Sequence, residues 1–344
     1  MKTALRNLRA AIHQVLDPLI PIGSDCVLID FPHHANVGDS AIWLGEIAYL
    51  QSRRCNLKYT CDSQNYNENA LRAVLSNSII LLHGGGNFGD LYPNHQELKE
   101  KVIRNFPNHR IIQLPQSIQF NEVSNLDRAK EVLSLHDDFH FVTRDAVSHR
   151  LAQGHFACPL YLCPDLALML DLKPLSSRRK LVNVLVLSRT DDEKASHIAS
   201  IPSRAITCRV VDWLDEATPK YQWLYDWSHR RLGWRNSKVP PFLLNKLAML
   251  GANCMAKERL ARGLALLAQG DIVITDRLHG IILSWMGGTS VFYTDNNYMK
   301  LSNFLSTWLD ETQNIMSCAN FEAAFHRAEA SIRSRRSGVA SDPR

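Results

Sequence analysis

Apolar runs that alternate with segments of helical spacing organise the first half of the chain. The runs open the segments 26–31, 78–86, 109–118, 140–153 and 160–170. Each run ends in a polar or glycine-rich stretch, after which apolar residues recur every three or four positions. This alternation predicts parallel strands whose sheet is covered by helices on both faces.

The same alternation restarts after DLKPLSSRRK (171–180), which is rich in Pro, Ser and basic residues. Strands are predicted to open 181–193, 205–213, 271–280 and 290–295, and a helix over 255–270 is predicted to stop at Gly270. We predict two doubly wound α/β domains that leave a cleft beyond their strand ends. The predicted divisions are an N-terminal Rossmann-like domain at 1–172, a linker at 173–180, a C-terminal Rossmann-like domain at 181–320, and a C-terminal helix with a frayed basic tail at 321–344.

Composition narrows the function classes. The 344 residues are 45% hydrophobic and 21% charged, which is ordinary for a globular protein. The net charge of +5 suits anionic small molecules or a membrane surface and does not require nucleic acid. No apolar run reaches the ~18 residues of a membrane span, so we expect a cytoplasmic protein. The eight cysteines form no CxxC pair, and no GxxxxGK[ST] occurs, so neither a zinc site nor a P-loop is expected.

The glycine-rich segment HGGGNFGD (83–90) formally matches GxGxxG. No Asp or Glu follows about twenty residues later, where a dinucleotide site needs one. We interpret the segment as a loop whose backbone amides approach an anion or a substrate, while tight turns without a ligand remain an alternative. The candidate substrate-binding residues here are His83, Gly84, Gly85, Gly86 and Asn87, together with Gln116 after the next strand.

Two further strand-end segments carry candidate chemistry. In HHANVGDSAI (33–42), Asn36 and Asp39 could contact a substrate hydroxyl, with Asp39 as a general base, although Asp39 or Ser40 could instead simply cap the next helix. In TRDAVS (143–148), Arg144 could clamp a carboxylate or phosphate, or only form an ion pair with the neighbouring aspartate.

TDRLHG (275–280) places a cation and an imidazole two residues apart after a buried run. If the segment stays extended, Arg277 and His279 point the same way and Leu278 faces the core. A helix expected from about Ile281 would aim its positive end at the same point. These groups predict an anion pocket with a titratable proton, and the alternative is a capping histidine beside a salt-bridged arginine.

The segment 223–238, WLYDWSHRRLGWRNSK, interleaves tryptophans with basic residues. It could lie on an anionic membrane surface or stack on sugars. A partly buried amphipathic segment is the alternative.

Together, NVGDSAI, LLHGGGNFGDLY, VTRD, CPDLAL and ITDRLHGIILS resemble motifs of the polysaccharide pyruvyltransferases, in the family's order and over most of the chain. The resemblance implies a GT-B-like α/β fold, phosphoenolpyruvate as donor and co-substrate, a pair of sugar hydroxyls as acceptor, no metal and no cofactor. It implies that Arg144, Arg277, Leu278 and His279 form the donor site and that Asp39 lies in the site. SRTDDE (188–193) also looks family-like, which adds Arg189 as a candidate.

The residue chemistry is consistent with this resemblance. Phosphoenolpyruvate carries a carboxylate and a phosphate, which Arg144 and Arg277 could hold. His279 could protonate the methylene carbon, and Asp39 or His83 could take the acceptor's proton. We expect a lipid-linked oligosaccharide as acceptor and peripheral contact with the inner membrane face. A GT-B glycosyltransferase using a nucleotide sugar and a non-catalytic polysaccharide-assembly protein remain alternatives.

Overall fold

A computed structural model describes residues 1–175, 180–190, 206–232, 238–295, 299–309 and 314–336. The chain divides into two compact units. The first unit comprises Thr3–Leu170 and Glu216–Leu260, and the second comprises Met1–Lys2, Asp171–Asp215 and Ala261–Arg344. This division differs from the predicted domains, because residues 216–260 belong to the first unit rather than to a continuous C-terminal domain. Parts of three predicted segments lie outside the described residues: 176–179 of the linker, 191–193 of SRTDDE and 337–344 of the frayed tail.

The first unit contains one parallel sheet flanked by helices. Its strands are β1 (Asp25–Ile29), β2 (Asn56–Cys61), β3 (Ile79–Leu82), β4 (Gly85–Gly89), β5 (Ile111–Gln119), β6 (Phe139–Thr143) and β7 (Leu160–Leu162). Its helices are α1 (Lys2–Leu16), α2 (Val37–Ser52), α3 (Glu68–Arg72), α4 (Pro93–Asn105), α5 (Val123–Ser134), α6 (Ala146–His155), a 3-10 turn at Leu166–Met169, α7 (Gln222–Leu232) and the first part of α8 (Pro241–Leu267).

The second unit contains a smaller parallel sheet. Its strands are β8 (Val182–Leu187), β9 (Cys208–Val211), β10 (Gly270–Thr275), β11 (Ser290–Tyr293) and β12 (Ile315–Ser317). Its helices are the end of α8, then α9 (Leu278–Met286), α10 (Lys300–Trp308) and α11 (Phe321–Arg336). The central strand β10 is an unbroken apolar run because both of its faces are covered, and Ile272, Val273 and Ile274 are fully buried.

Strand order identifies the place in each sheet where a ligand is expected. The first sheet runs β2-β1-β3-β5-β6-β7, with β4 added beside β5, and the second runs β12-β11-β10-β8-β9. All recorded pairs are parallel, which confirms the predicted parallel α/β architecture. In both sheets the chain reverses its direction of winding next to the first strand, at β1/β3 and at β8/β10. Ligands of such sheets bind beyond the carboxyl ends of the two strands at that point.

The predicted boundaries were wrong at two helices. Helix α2 begins at Val37, and its N-cap is Asn36, whose side chain accepts a hydrogen bond from the Gly38 amide, so neither Asp39 nor Ser40 is the cap. Helix α8 begins at Pro241 instead of 255, and Gly270 is the first residue of β10 instead of a helix stop. Within this helix a Cβ on Gly251 would lie 2.9 Å from the Tyr225 backbone nitrogen, so the glycine allows α7 to pack closely against α8.

The glycine-rich segment is a strand and not the predicted loop. Residues of β4 pair in parallel with the second half of β5, which continues through LPQSIQ instead of turning there. A Cβ on Gly89 would lie 1.7 Å from the Gln119 carbonyl oxygen, and one on Gly84 would lie 2.6 Å from that of Pro115. Gly85 and Gly89 also have φ of +121° and +130°. The glycines are therefore required by close backbone packing against β5.

Candidate functional site

Polar side chains of the first unit gather where β1 and β3 end. Asn36 Nδ2 donates to Asp39 Oδ2 at 2.8 Å, and His34 Nε2 lies 3.6 Å from the same oxygen. Asp39 Oδ1 lies 3.6 Å from where a Cβ on Gly85 would stand, and Gln116 Oε1 lies 3.9 Å from that point. The structure thus brings Asp39, Asn36, Gly85 and Gln116 together, as a substrate site at this strand end requires.

A buried histidine–glutamate pair lies at the end of β3. His83 Nδ1 donates to Glu46 Oε2 at 2.7 Å, and the other carboxylate oxygen accepts the Gly84 amide at 2.8 Å. Both side chains are almost completely buried, and His83 Nε2 has no hydrogen-bond partner among the described residues. Burial is the largest single influence on the pKa of His83 and lowers it, but the Glu46 carboxylate, with Asp30 and Asp39, raises it, and the net shift is upward. Glu46 fixes the ring tautomer and leaves Nε2 available to exchange a proton.

A second buried network supports this strand end. The Asp30 carboxylate accepts hydrogen bonds from His95 at 2.6 Å, Lys99 at 2.7 Å and Asn87 at 3.1 Å. Burial alone would raise the pKa of Asp30, but the Lys99 ammonium and the His95 hydrogen bond lower it far below its usual value. Gln116 Nε2 donates to Asn87 Oδ1 at 2.7 Å, so the network joins Gln116 to the ion pair.

Arg144 is held in the interior instead of forming a surface ion pair with the adjacent aspartate. Its Nη1 donates to Asp165 at 2.8 Å and its Nε donates to Ser117 at 2.9 Å, with only 4% of the residue exposed. Ser117 donates in turn to Asp145, which caps α6 by accepting the Ser148 amide. Arg144 therefore ties together the ends of β5, β6 and β7.

In the second unit, the TDRLHG segment is not extended after the strand. Arg277 is the N-cap of α9, so Leu278 and His279 are the first two helical residues and the predicted alternation of side chains was wrong. Thr275 Oγ1 donates to the Leu187 carbonyl and accepts the Arg277 amide at 3.1 Å. A Cβ on Gly280 would lie 2.8 Å from the same oxygen, so the glycine lets the helix start directly over the strand end. Helix α9 therefore begins at Leu278, between Arg277 and His279, three residues before the expected start near Ile281.

Arg277 is anchored by residues that follow β9, the strand on the far side of β8. Its Nη2 donates to Asp212 Oδ2 at 2.8 Å, and its guanidinium lies 5.8 Å from the centre of the Trp213 ring. The same Asp212 oxygen accepts the backbone amide and the hydroxyl of Thr190. Arg277, Leu278 and His279 are 2%, 7% and 7% exposed, so this is a preorganised interior site.

Arg189 follows β8 and meets the end of β10 through Asp276. Its backbone amide donates to Asp276 Oδ1 at 2.9 Å. Because β8 and β10 pair in parallel, Arg189 and Arg277 follow adjacent strand ends. The structure thus brings together Arg189, Arg277 and His279 in the second unit, whereas Arg144 belongs to the first.

The sequence interpretation missed several residues of these networks, among them Asp30, Glu46, Lys99, Asp212 and Asp276. Glu46 had a usable signal, because it is the one charge in the apolar helical run 40–52. Asp30 and Asp276 also directly follow predicted apolar runs. Lys99 and Asp212 had no local signal, since their partners are 69 and 65 residues away along the chain.

The aromatic-basic stretch is amphipathic where it is described. Helix α7 buries Tyr225 and His229, while Trp223 is 65% exposed and Arg231 lies 5.6 Å from the Trp227 ring centre. Trp234 and Arg235 lie outside the described residues. No helix in the described part of the chain has the length and apolar character to cross a bilayer. Within the same ranges, no three His, Cys, Asp or Glu side chains are grouped so that they could hold a metal ion.

Comparison with known proteins identifies one family over most of the chain. A model of the polysaccharide pyruvyl transferase family matches residues 36–298. Pyruvyl transferase 1 of Schizosaccharomyces pombe is 34% identical over 302 residues, covering 82% of this chain and 69% of that protein. The putative pyruvyl transferase EpsO of Bacillus subtilis is 30% identical over 321 residues, covering 90% of this chain and 92% of EpsO.

A solved structure supports the fold alone. The crystal structure of an uncharacterised Klebsiella pneumoniae protein superposes with a TM-score of 0.55 at 16% sequence identity. The superposition covers 91% of this chain and 99% of that one.

Proposed function

Because the chain belongs to the polysaccharide pyruvyl transferase family, we propose that it transfers pyruvate from phosphoenolpyruvate to two hydroxyls of a sugar, forming a ketal. The acceptor is a sugar of an exopolysaccharide or cell-wall glycan precursor. The observation that carries this proposal is the set of buried Arg189, Arg277 and His279 at the β8/β10 strand ends, beside the N-terminus of α9. A dianionic donor needs such a combination of fixed cations and a helix N-terminus.

The donor is bound mainly by arginines in this proposal. Arg277 is oriented by Asp212, so its guanidinium is held in place before the donor arrives. Arg189 supplies the second positive charge from the adjacent strand end. Arg144 retains the donor-site role that the family resemblance implies, and its bonds to Asp165 and Ser117 support an additional part in ordering the loops around it.

The reaction needs one proton donor and two proton acceptors. His279 protonates the methylene carbon of phosphoenolpyruvate, which leaves an electron-poor carbon that the first sugar hydroxyl attacks. The second hydroxyl closes the ring as the carbon–oxygen bond to phosphate breaks and the phosphate leaves with the bonding electron pair. Of the two protons released by the hydroxyls, one is taken up by the phosphate and the other restores the protonated His279 through solvent. We assign the first hydroxyl's proton to His83 Nε2, because Glu46 holds the opposite ring nitrogen, and the second to Asp39.

The remaining first-unit residues position the acceptor in this proposal. Asn36 orients Asp39, and Gln116 and Asn87 form a hydrogen-bonded pair beside Gly85. Gly84, Gly85 and Gly86 allow the acceptor to approach the backbone closely.

The wider setting is also part of the proposal. We propose a GT-B-like arrangement, a metal-independent reaction without a cofactor, and a cytoplasmic enzyme that meets a lipid-linked oligosaccharide at the inner membrane face. The exposed Trp223 and the Arg231–Trp227 contact on α7 support the membrane contact.

Two measurements test the function. Phosphoenolpyruvate should raise the melting temperature of the protein in a concentration-dependent way, whereas UDP and GDP should not. Phosphate should be released from phosphoenolpyruvate only when a suitable acceptor is added from a panel of lipid-linked oligosaccharide extracts. Stabilisation by UDP or GDP alone would instead indicate a nucleotide-sugar donor.

A further inference from the structure

Asp276 is a buried carboxyl group with one incompletely bonded oxygen. Only 1% of the residue is exposed. Its Oδ1 accepts the Arg189 amide at 2.9 Å, but its Oδ2 has no hydrogen-bond partner among the described residues. Buried polar atoms of native proteins are almost always bonded, so this oxygen requires an explanation.

Asp30 provides a comparison, because it is a buried aspartate with the hydrogen-bond partners of an ionised carboxylate. It directly follows β1, one of the two strands at the winding reversal of the first sheet, as Asp276 directly follows β10 at that of the second. Three side chains donate hydrogen bonds to it, one of them the Lys99 ammonium. Asp276 receives one backbone amide. Burial raises the pKa of Asp276, and the Arg189 amide and nearby guanidiniums lower it by less, so the net shift is upward, opposite to that of Asp30.

The charge balance of the proposed donor site also depends on the protonation state of Asp276. The charged groups that act on it are Arg189 from the β8 end and Arg277 from the start of α9, and Asp212 after β9 is paired with Arg277. His279 follows Arg277 by two residues in the same helix. With Asp212 and Asp276 both ionised, the two carboxylates cancel the two guanidiniums. A neutral Asp276 leaves this cluster with a net positive charge, which an anionic donor needs.

We propose that Asp276 binds phosphoenolpyruvate as a neutral carboxylic acid, donating a hydrogen bond from its Oδ2 to an oxygen of the donor. The proposal rests on the proposed function and adds a binding residue to that site. It follows that donor binding is linked to protonation of Asp276. Affinity should fall as pH rises through the Asp276 pKa, by up to about tenfold per pH unit, because the ionised carboxylate repels the donor.

The test compares the wild-type chain with Asp276→Asn by titrating phosphoenolpyruvate calorimetrically across a pH series. Asparagine keeps an oxygen for the Arg189 amide and presents a permanently neutral NH₂ donor. Asp271→Asn is the matched control, since Asp271 lies near the start of β10, away from the carboxyl end, and contacts Asn183 there. Titration of the donor's own phosphate affects all three proteins equally.

We expect Asp276→Asn to lose the additional pH dependence and to bind roughly 10- to 100-fold more tightly than wild type at the alkaline end, with Asp271→Asn behaving as wild type. Equal pH slopes in wild type and Asp276→Asn overturn the proposal while leaving the donor assignment intact. Failure of the wild type to bind at any pH overturns the donor assignment itself.

A second measurement avoids dependence on a folded variant. Infrared spectra of the wild type are recorded with and without phosphoenolpyruvate. The spectrum of the complex should contain the C=O stretch of a protonated carboxyl group, whether that band is gained on binding or is already present in the free protein. A spectrum with only ionised carboxylates in the complex contradicts the proposal.

Discussion

The β1/β3 strand ends of the first unit and the β8/β10 strand ends of the second have the same topology and opposite chemistry. The first presents Asp39 together with the His83–Glu46 pair, over a network centred on Asp30. The second presents Arg189, Arg277 and His279 at the N-terminus of α9. Proton acceptors suit a neutral sugar hydroxyl, and cations suit an anionic donor. The sheet determines where a ligand binds, whereas the residues after each strand determine which ligand it is.

The largest effect is expected for His279→Gln. Removing the proposed proton donor should lower kcat about 1,000-fold, within the range for a general acid, and leave the Kd for phosphoenolpyruvate within a few-fold. Turnover and calorimetric binding measure the two quantities. The control is His326→Gln on α11, an exposed histidine that should retain full activity. Near-normal turnover of His279→Gln with intact donor binding would show that the proton comes from another group.

Arg277→Lys should have the next largest effect. Lysine keeps the positive charge beside Asp212 but loses the planar two-pronged geometry of guanidinium. We expect kcat/KM for phosphoenolpyruvate to fall about 100-fold, mainly through KM, in steady-state assays of phosphate release. Arg209→Lys on β9 is the control, because Arg209 is exposed and its Nη1 donates to the side chain of Gln269. A change in KM for the acceptor alone would place Arg277 in the acceptor site instead.

Much of this comparison was predictable from the sequence, because buried parallel strands are continuous apolar runs that end at polar residues. The runs before Asp30, His83 and Asp276 all proved to be strands. The position of α9 was not predictable by the usual signals. Its N-cap is Arg277 with no side-chain capping bond, so no Ser, Thr, Asp or Asn marks the start.

Non-local packing accounts for the other differences. Strand β4 consists largely of glycine and exists because β5 lies beside it, a pairing that residue propensity does not predict. Residues 216–260 return to the first unit, where Arg259 donates to the Pro32 carbonyl and pairs with Glu216. Those contacts join positions as far as 227 residues apart, and a single sequence carries no periodic signal of them.

Glu46→Gln tests the first-unit side of the comparison with a smaller effect. Glu46 raises the pKa of His83, and a general base works only when deprotonated, so wild-type activity falls as pH drops through that pKa. Glutamine removes the negative charge, lowers the pKa of His83 and should shift the acidic limb of the kcat/KM profile to lower pH. The plateau should fall about tenfold, because the neutral amide supports a weaker base.

Two comparisons separate this effect from simple destabilisation. Glu131→Gln on α5 removes an exposed carboxylate of the same unit and should leave the pH profile unchanged. Thermal melts of both variants report any loss of folding stability. An unchanged acidic limb in Glu46→Gln, with a lower plateau, would mean that Asp39 is the base that titrates in the profile.

The smallest effect is expected on removal of divalent metals. The proposed charge neutralisation comes from Arg189 and Arg277, and the described residues contain no group of three potential metal-binding side chains. Incubation with EDTA should therefore change the rate of phosphate release by less than about twofold. A larger loss that Mg²⁺ or Mn²⁺ restores would contradict this prediction. The donor site would then resemble those phosphoryl sites in which a cation bridges the substrate oxygens. Retained activity would support neutralisation of the donor's negative charge by Arg189 and Arg277. Arg277→Lys would then be the variant that tests this role in the second unit.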